Sequence, residues 1–547
     1  MAAAVHSSSL SAEKAKDLLD HRDQNSQRSS LSISHSNRAS FTDRPIDKTS
    51  IEETERGERA QSQIQKDDDK QLNIFRRVTR FLRHYGIETH GITPTSPEQR
   101  TDNRIYQLFW LWFSANFNIL AFSTGTAGPA FFGLGMWQSL VIIAVVDLVT
   151  AVVPAYFALF GPKLGTRGMV QCRFSWGLVY YGSKLPSLLN AFSNQGFLIL
   201  NCIIGGQALA AVSGKIDDTV GIVIISLISL AVTFFGYQFL HWFESFAWVP
   251  SVISFPILIG LAGKHLKPST FPAVPPPSAA SVLSFASFVA SSIISWCTLT
   301  PDYGVYHDSK APTLKVFTYV YLGFLLPSIA WHMVGAAFAA AAPGIPSWDA
   351  GFEGGTNVGG LLAAVLSPAG GVGKFLLVLI ALSTSCACAP TMYTFGLSFM
   401  AISSFFARIP RYVFVIVSEA ILIPLAIIGA KQFYDTLVNV LSVIGYWSTA
   451  FAAIVLAEHF VFRRSFSSTA YPTQNWDKAG LLPPGMAAVF AFCCAFGIII
   501  PCMKQTFYTG PIAGTGSGDV GVFVGWFLAF VVYVPTRMIE RRIWPSA

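Results

Sequence analysis

The chain has 547 residues, of which 52% are hydrophobic and only 12% charged, with a mean hydropathy of +0.49. That is about half the charge of an ordinary soluble protein, and 45 phenylalanines need lipid rather than water to face, so a soluble enzyme is excluded. The formal charge of +7 comes from basic residues scattered through connectors rather than gathered on one domain, which argues against a nucleic-acid partner.

Residues 1–103 are polar, with no apolar core long enough for a signal peptide, and are expected to form a mostly disordered cytoplasmic tail. Within it, residues 72–85 set Ile74, Phe75 and Val78 against Arg76, Arg77 and Arg80, the pattern of a basic amphipathic helix lying on a membrane surface. An all-α transporter domain is expected over residues 104–536. Its apolar segments lie near 106–128, 134–160, 185–211, 219–239, 246–263, 281–300, 316–341, 373–400, 412–430, 436–457, 485–503 and 519–536. Each is long enough for a hydrocarbon core of roughly 30 Å, whereas a thirteenth candidate at 357–370 is too short. A short cytoplasmic tail, 537–547, ends the chain.

Twelve spans put both termini on one side. With the N-terminus inside, the inner connectors carry Lys163, Arg167, Arg173, Lys184, Lys310, Lys315, Arg408, Arg411, Arg463, Arg464 and Lys478, and the C-terminal tail adds Arg537, Arg541 and Arg542. The outer connectors hold only Lys215, Lys264, Lys267, Lys431 and Lys504. This excess of positive charge places both ends in the cytoplasm. Six of the eight cysteines, Cys202, Cys297, Cys386, Cys388, Cys493 and Cys494, fall in apolar stretches without CxxC spacing, and read as small buried hydrophobes.

A polar solute crossing lipid needs polar groups in mid-span and helices that break there. The first span runs Ser114-Ala115-Asn116-Phe117-Asn118 and then Ser123-Thr124-Gly125-Thr126; the sixth runs Ser291-Ser292-Ile293-Ile294-Ser295-Trp296-Cys297-Thr298 and closes on Pro301-Asp302. These two spans hold the same place in successive five-span blocks, the trace of an inverted repeat with its site at the midplane. The third span adds Asn194, Gln195, Asn201 and Gln207, and the eighth adds Ser383-Thr384-Ser385 with Cys388 and Thr391 flanking Pro390. Phe117, Phe197 and Trp296 can stack on a flat ring while the amides of Asn116 and Asn201 bond its edge, so a planar heterocycle is expected.

Ionisable residues inside spans are Asp147 in the second, His332 in the seventh and Glu419 in the ninth. Any of them could carry a coupling proton. Glu244, Asp302 and Glu458, nearer span ends, have the further option of structural ion pairs with inner-side Arg and Lys. Clustered His and carboxylates of the kind a membrane enzyme needs are not found, and no catalytic residue, metal or cofactor is expected.

Four long motifs occur in order: GIETHGITPTSPEQRTD before the first span, FGPKLGTRGMVQCRFSWG at 160–177, Trp296 with PDYGVYH to 307, and IGYWSTAFAAIVLAEHFVFR at 444–463. Through these the chain resembles the fungal purine–cytosine permeases of the nucleobase:cation symporter-1 family over residues 86–540. The resemblance implies a twelve-span leucine-transporter-type fold with a five-plus-five inverted repeat, importing a nucleobase with a proton across the plasma membrane. By position it implies Ser114 and Asn116 as the substrate-facing pair of the first span, Asn201 as the amide of the third and Trp296 as the aromatic wall of the sixth. Ser383 and Thr384 are similar to hydroxyls that form a cation site in sodium-coupled relatives.

Two departures bear on the cargo. Phe197 stands where the family commonly has tryptophan, and Cys386-Ala387-Cys388-Ala389-Pro390-Thr391 replaces an asparagine-rich stretch. Losing amides removes groups that discriminate among hydrogen-bonding substrates. The substrate-binding set is therefore Ser114, Asn116, Phe197, Asn201, Ser292, Trp296, Cys388 and Thr391, and the coupling candidates are Ser383, Thr384, Asp147 and Glu419, with H+ as the ion. Vitamin B6 compounds are an alternative cargo, and a non-transporting nutrient receptor an alternative role. The expected partners are a small molecule and membrane lipid, with no stable protein partner.

Overall fold

The first apolar segment folds as two helices because its centre is polar. Helix α1 (Tyr106–Asn116) stops at Phe117, and α2 (Ile119–Ala130) starts after Asn118, whose backbone is extended. The Asn118 carboxamide oxygen accepts from the N–H groups of Leu120 and Ala121 at 2.8 and 3.1 Å, while its Nδ2 donates to Ala115 O. One side chain thus caps both fragments, satisfying backbone groups that a break in lipid would otherwise leave bare.

The computed structural model describes residues 91–544 except 180, 181, 214, 235 and 236. The expected amphipathic segment at 72–85 and most of the expected N-terminal tail lie outside the described residues. After α2 come α3 (Met136–Thr150), α4 (Lys184–Ala210), α5 (Asp218–Phe234), α6 (Tyr237–Gly263), α7 (Ala279–Ile294) and α8 (Thr313–Ala341). Then follow α9 (Gly370–Leu382), α10 (Thr384–Ile402), α11 (Arg411–Gly429), α12 (Phe433–Ala457), α13 (Met486–Cys502) and α14 (Gly521–Ile543). The described residues contain two isolated β-bridges and no strand. Among the described residues, 8 continuous helical stretches could cross a membrane by length and composition, one of which, Arg411–Arg463, carries both α11 and α12; α5 and α13 are shorter apolar helices. The expected thirteenth segment is a short helix, Val358–Leu366.

Two groups of helices emerge from the packing. Helix α8 lies against α1, α2 and α3, and α3 against α7; α4 lies against α10, α5 and α11. Helix α12 touches both groups, through α7 and α4, and α13 and α14 pack beside it. Small residues permit the tightest approaches, as helices in lipid require. A Cβ on Gly125 of α2 would stand 1.9 Å from the His332 carbonyl oxygen of α8, and one on Gly445 of α12 would stand 2.0 Å from Ser291 Oγ of α7. Of the cysteines read as buried, Cys202, Cys297, Cys386 and Cys388 are so, but Cys493 is exposed and Cys494 half-buried on α13.

Candidate functional site

Where α1 and α2 part, a cavity opens between the two helix groups. It is lined by Asn116, Asn118, Leu120, Ala121, Thr124, Phe197, Ser292, Ile293, Trp296, His332 and Leu441, and the space open to the centre of a water molecule is about 30 Å³. That is room for roughly two waters, so the walls must separate to admit a ring. The second break helps to form it. Helix α7 gives way at Ser295 to two 3₁₀ turns, Ser295–Thr298 and Thr300–Tyr303, and Trp296 stands on the first. Its ring lies 5.5 Å from that of Phe197 on α4, with planes 36° apart, and is backed by Trp112 edge-on at 5.8 Å.

The polar lining is short-range in its bonding. Asn116 Nδ2 donates to Trp112 O at 2.9 Å, Ser292 Oγ to Val289 O at 2.8 Å and Thr124 Oγ1 to Leu120 O at 3.1 Å. His332 differs, because its Nδ1 meets Asp147 Oδ2 of α3 at 2.8 Å with side chains only 2% and 0% exposed. An isolated acid at the centre of a span costs about 2.5–3.5 kcal/mol on insertion scales, which a partner offsets.

Four of the eight expected binding residues, Asn116, Phe197, Ser292 and Trp296, therefore line one cavity. The other four lie off it. Ser114 faces the Glu244 carboxylate and the Cys386 thiol. Asn201 Nδ2 donates to Phe197 O at 2.9 Å, and Thr391 Oγ1 to Ala387 O at 2.7 Å. Cys388 lies beside Cys202. Of the coupling candidates, Ser383 and Thr384 hydroxyls donate to Ile380 O and Ala381 O at 2.6 and 2.8 Å, and Thr384 packs toward Gly205 of α4. Neither Glu419 oxygen has a hydrogen-bond partner among the described residues. Asp147, by contrast, hydrogen-bonds His332 of the cavity lining.

Asn118, Thr124, His332 and Leu441 line the cavity without having been placed in the expected set. The asparagine was legible as the N-cap that restarts a helix after a polar break. His332 stood out as an intramembrane base, but its partner is 185 residues away, and no local pattern pairs them.

A second concentration of polar groups joins the α3–α4 connector to the α7–α8 connector. Arg167 Nη1 donates to Asp302 O at 2.8 Å, the Gly168 N–H to Asp302 Oδ1 at 2.7 Å, and Lys163 Nζ to Ala311 O at 2.7 Å. Arg167 also lies over the Tyr306 and Tyr393 rings. Burial pushes the Asp302 carboxyl up to about 6, opposed by the Arg167 charge and the Gly168 N–H. Glu458 forms the expected ion pairs, to Arg463 at 2.9 Å and Arg537 at 3.2 Å. Glu244 has no basic partner among the described residues and faces Ser114 on α1 and Cys386 on α10.

The family described as permeases for cytosine/purines, uracil, thiamine and allantoin matches residues 95–475. The chain is 33% identical to the purine-cytosine permease fcyB of Emericella nidulans over 86% of its own length and 92% of that protein's. It is 34% identical to purine-cytosine permease FCY21 of Saccharomyces cerevisiae over 87% and 90%. Identity to the vitamin B6 transporter TPN1 of Saccharomyces cerevisiae is 28% over 84% and 88%. Among solved structures, the nucleobase-cation-symport-1 transporter Mhp1 in a closed conformation with bromovinylhydantoin bound superposes with a TM-score of 0.62 at 18% identity, covering 84% of this chain and 96% of Mhp1.

Proposed function

Because the chain belongs to the family of permeases for cytosine/purines, uracil, thiamine and allantoin, we propose that it imports a nucleobase, a purine or cytosine, across the plasma membrane by proton symport. The observation that carries this reading is the cavity in which Phe197 and Trp296 face the amides of Asn116 and Asn118 at two helix breaks. A flat base stacks between aromatic rings while amides and bare helix ends bond its edge. In this reading all twelve apolar segments span as a five-plus-five inverted repeat and both termini are cytoplasmic. The group α1, α2, α3, α7 and α8 rocks against α4, α5, α10 and α11 to open the cavity to each side in turn. The relatives are permeases and transporters, not enzymes.

A vitamin B6 compound is the second reading. The observation in its favour is the likeness to TPN1; the Cys386-Ala387-Cys388-Ala389 departure on α10 bears on it less, because those residues lie off the cavity. Uptake of radiolabelled cytosine, adenine and pyridoxine, in a fungal strain lacking its own carriers, separates the two. Concentrative cytosine or adenine uptake is expected; uptake of pyridoxine alone favours the second cargo. Binding of these compounds without uptake favours a receptor, and neither binding nor uptake removes all three.

A further inference from the structure

Resting on the proton-symport reading, we infer that the Asp147–His332 pair is the proton-binding site through which cargo and proton are coupled. Three observations meet there. The pair bridges α3 and α8 at 2.8 Å. His332 lines the cavity that also holds Asn116, Phe197 and Trp296. Asp147 Oδ1 is buried with no hydrogen-bond partner among the described residues.

The chemistry follows from counting charge. With Nδ1–H donating to the Asp147 carboxylate, the imidazole is neutral, the pair carries one negative charge, and Nε2 keeps its lone pair. A proton arriving from the outer aqueous phase forms the Nε2–H bond and leaves an imidazolium–carboxylate pair of zero net charge. The new Nε2–H is a donor on the cavity wall, suited to a carbonyl oxygen or ring nitrogen of a nucleobase. Each ligand strengthens the other, as thermodynamic linkage requires. When the cavity opens inward and the base leaves, Nε2 returns its proton to the cytoplasm.

Few other charges compete for this role. Asp147 and His332 sit on helices that pack against α1, α2, α7 and the short helix Val152–Phe157. Helices α2 and α7 carry no titratable side chain. Tyr106 begins α1 and is 52% exposed, roughly 15 Å of helix from Asn116. Tyr156 packs against His459. On α8 itself the nearest titratable group is Tyr321, which donates to Leu148 O and lies roughly 16 Å of helix from His332; Tyr319 and Lys315 are further along the same helix. From α6, Phe255 touches Trp331, but Glu244 lies a similar distance along that helix.

Cytosine uptake by cells expressing the full chain is measured at about pH 5 and about pH 8, the range over which histidine changes charge, with exchange from cytosine-preloaded cells alongside. The native chain is expected to accumulate cytosine more strongly at the lower pH. In His332→Gln accumulation should fall by about tenfold or more and its pH dependence should vanish, with Asp147→Asn behaving alike, while exchange from preloaded cells reports any separate loss of cytosine binding. If His332→Gln fails to reach the membrane, Asp147→Asn carries the same readout. Retained pH-dependent accumulation in a surface-expressed variant overturns the inference, as does a flat pH profile in Glu244→Gln or Glu419→Gln while His332→Gln matches the native chain. PH-independent uptake by the native chain also overturns it but leaves nucleobase import standing. Absence of any native uptake contradicts the proposed function instead.

Discussion

At the junction of the α3–α4 and α7–α8 connectors, charged and polar groups have partners from the opposite connector: Arg167 on Asp302 O, Gly168 N–H on Asp302 Oδ1, Lys163 on Ala311 O. Around the cavity, Asn116, Thr124 and Ser292 bond to their own helix one turn back, Asn118 joins α1 to α2, and His332 reaches Asp147, whose Oδ1 has no partner among the described residues. The junction spends its polarity on holding two segments together. The cavity leaves polar capacity unspent where a solute would use it. Buried polar atoms are normally satisfied; the junction has its own exceptions in the Thr166 and Thr300 hydroxyls, which have no partner among the described residues, so the two regions differ in where their bonds run rather than in complete satisfaction.

The comparison breaks most severely at Gly125. A methyl there has no room against the His332 carbonyl oxygen, so Gly125→Ala should cost about 3 kcal/mol or more, at the upper end of overpacking. Cytosine uptake should drop to background, and the melting temperature of the purified protein should fall. Next comes Arg167→Ala, which removes a charged donor and leaves the Asp302 region without its counter-charge. A loss of about 1.5–3 kcal/mol is expected, read in a thermal melt, with cytosine affinity little changed because the junction is not part of the cavity. Asn118→Ala removes a cap from α2 and a bond to α1, worth about 1–2 kcal/mol of stability, and should also weaken cytosine binding.

The smallest effect sharpens the junction side. The Asp302 carboxyl, raised by burial to about 6, has an unfolded value of about 3.9. Its stabilising contribution is complete below the lower value and is lost as pH rises through about 6. Melting temperature should therefore rise modestly on acidification from pH 7 toward pH 4, and Asp302→Asn should flatten that rise. An equal slope in the variant would assign the pH dependence elsewhere.

Both helix breaks were legible in the sequence, since Asn116-Phe117-Asn118 and the serine-rich run before Pro301 interrupt apolar segments with residues that cap or bend helices. Asn116, Phe197, Ser292 and Trp296 could be placed because each lies at or opposite a break. What could not be read was pairing at a distance. Asp147 and His332 are 185 residues apart, and Arg167 and Asp302 are 135 apart, so only the fold brings them together. Ser114 shows the same limit. It is two residues from Asn116, and that is enough of a helical rotation to turn it from the cavity toward Glu244.

That last pair also offers the most direct measurement. Radiolabelled cytosine binding to the purified chain, to Asn116→Ala and to Ser114→Ala would test whether the cavity is the binding site. The account predicts that Asn116→Ala loses about tenfold or more in affinity, as expected when a site's hydrogen-bonding group is removed, while Ser114→Ala binds nearly as the native chain does. Equal affinity in all three, or a larger loss in Ser114→Ala, would contradict it.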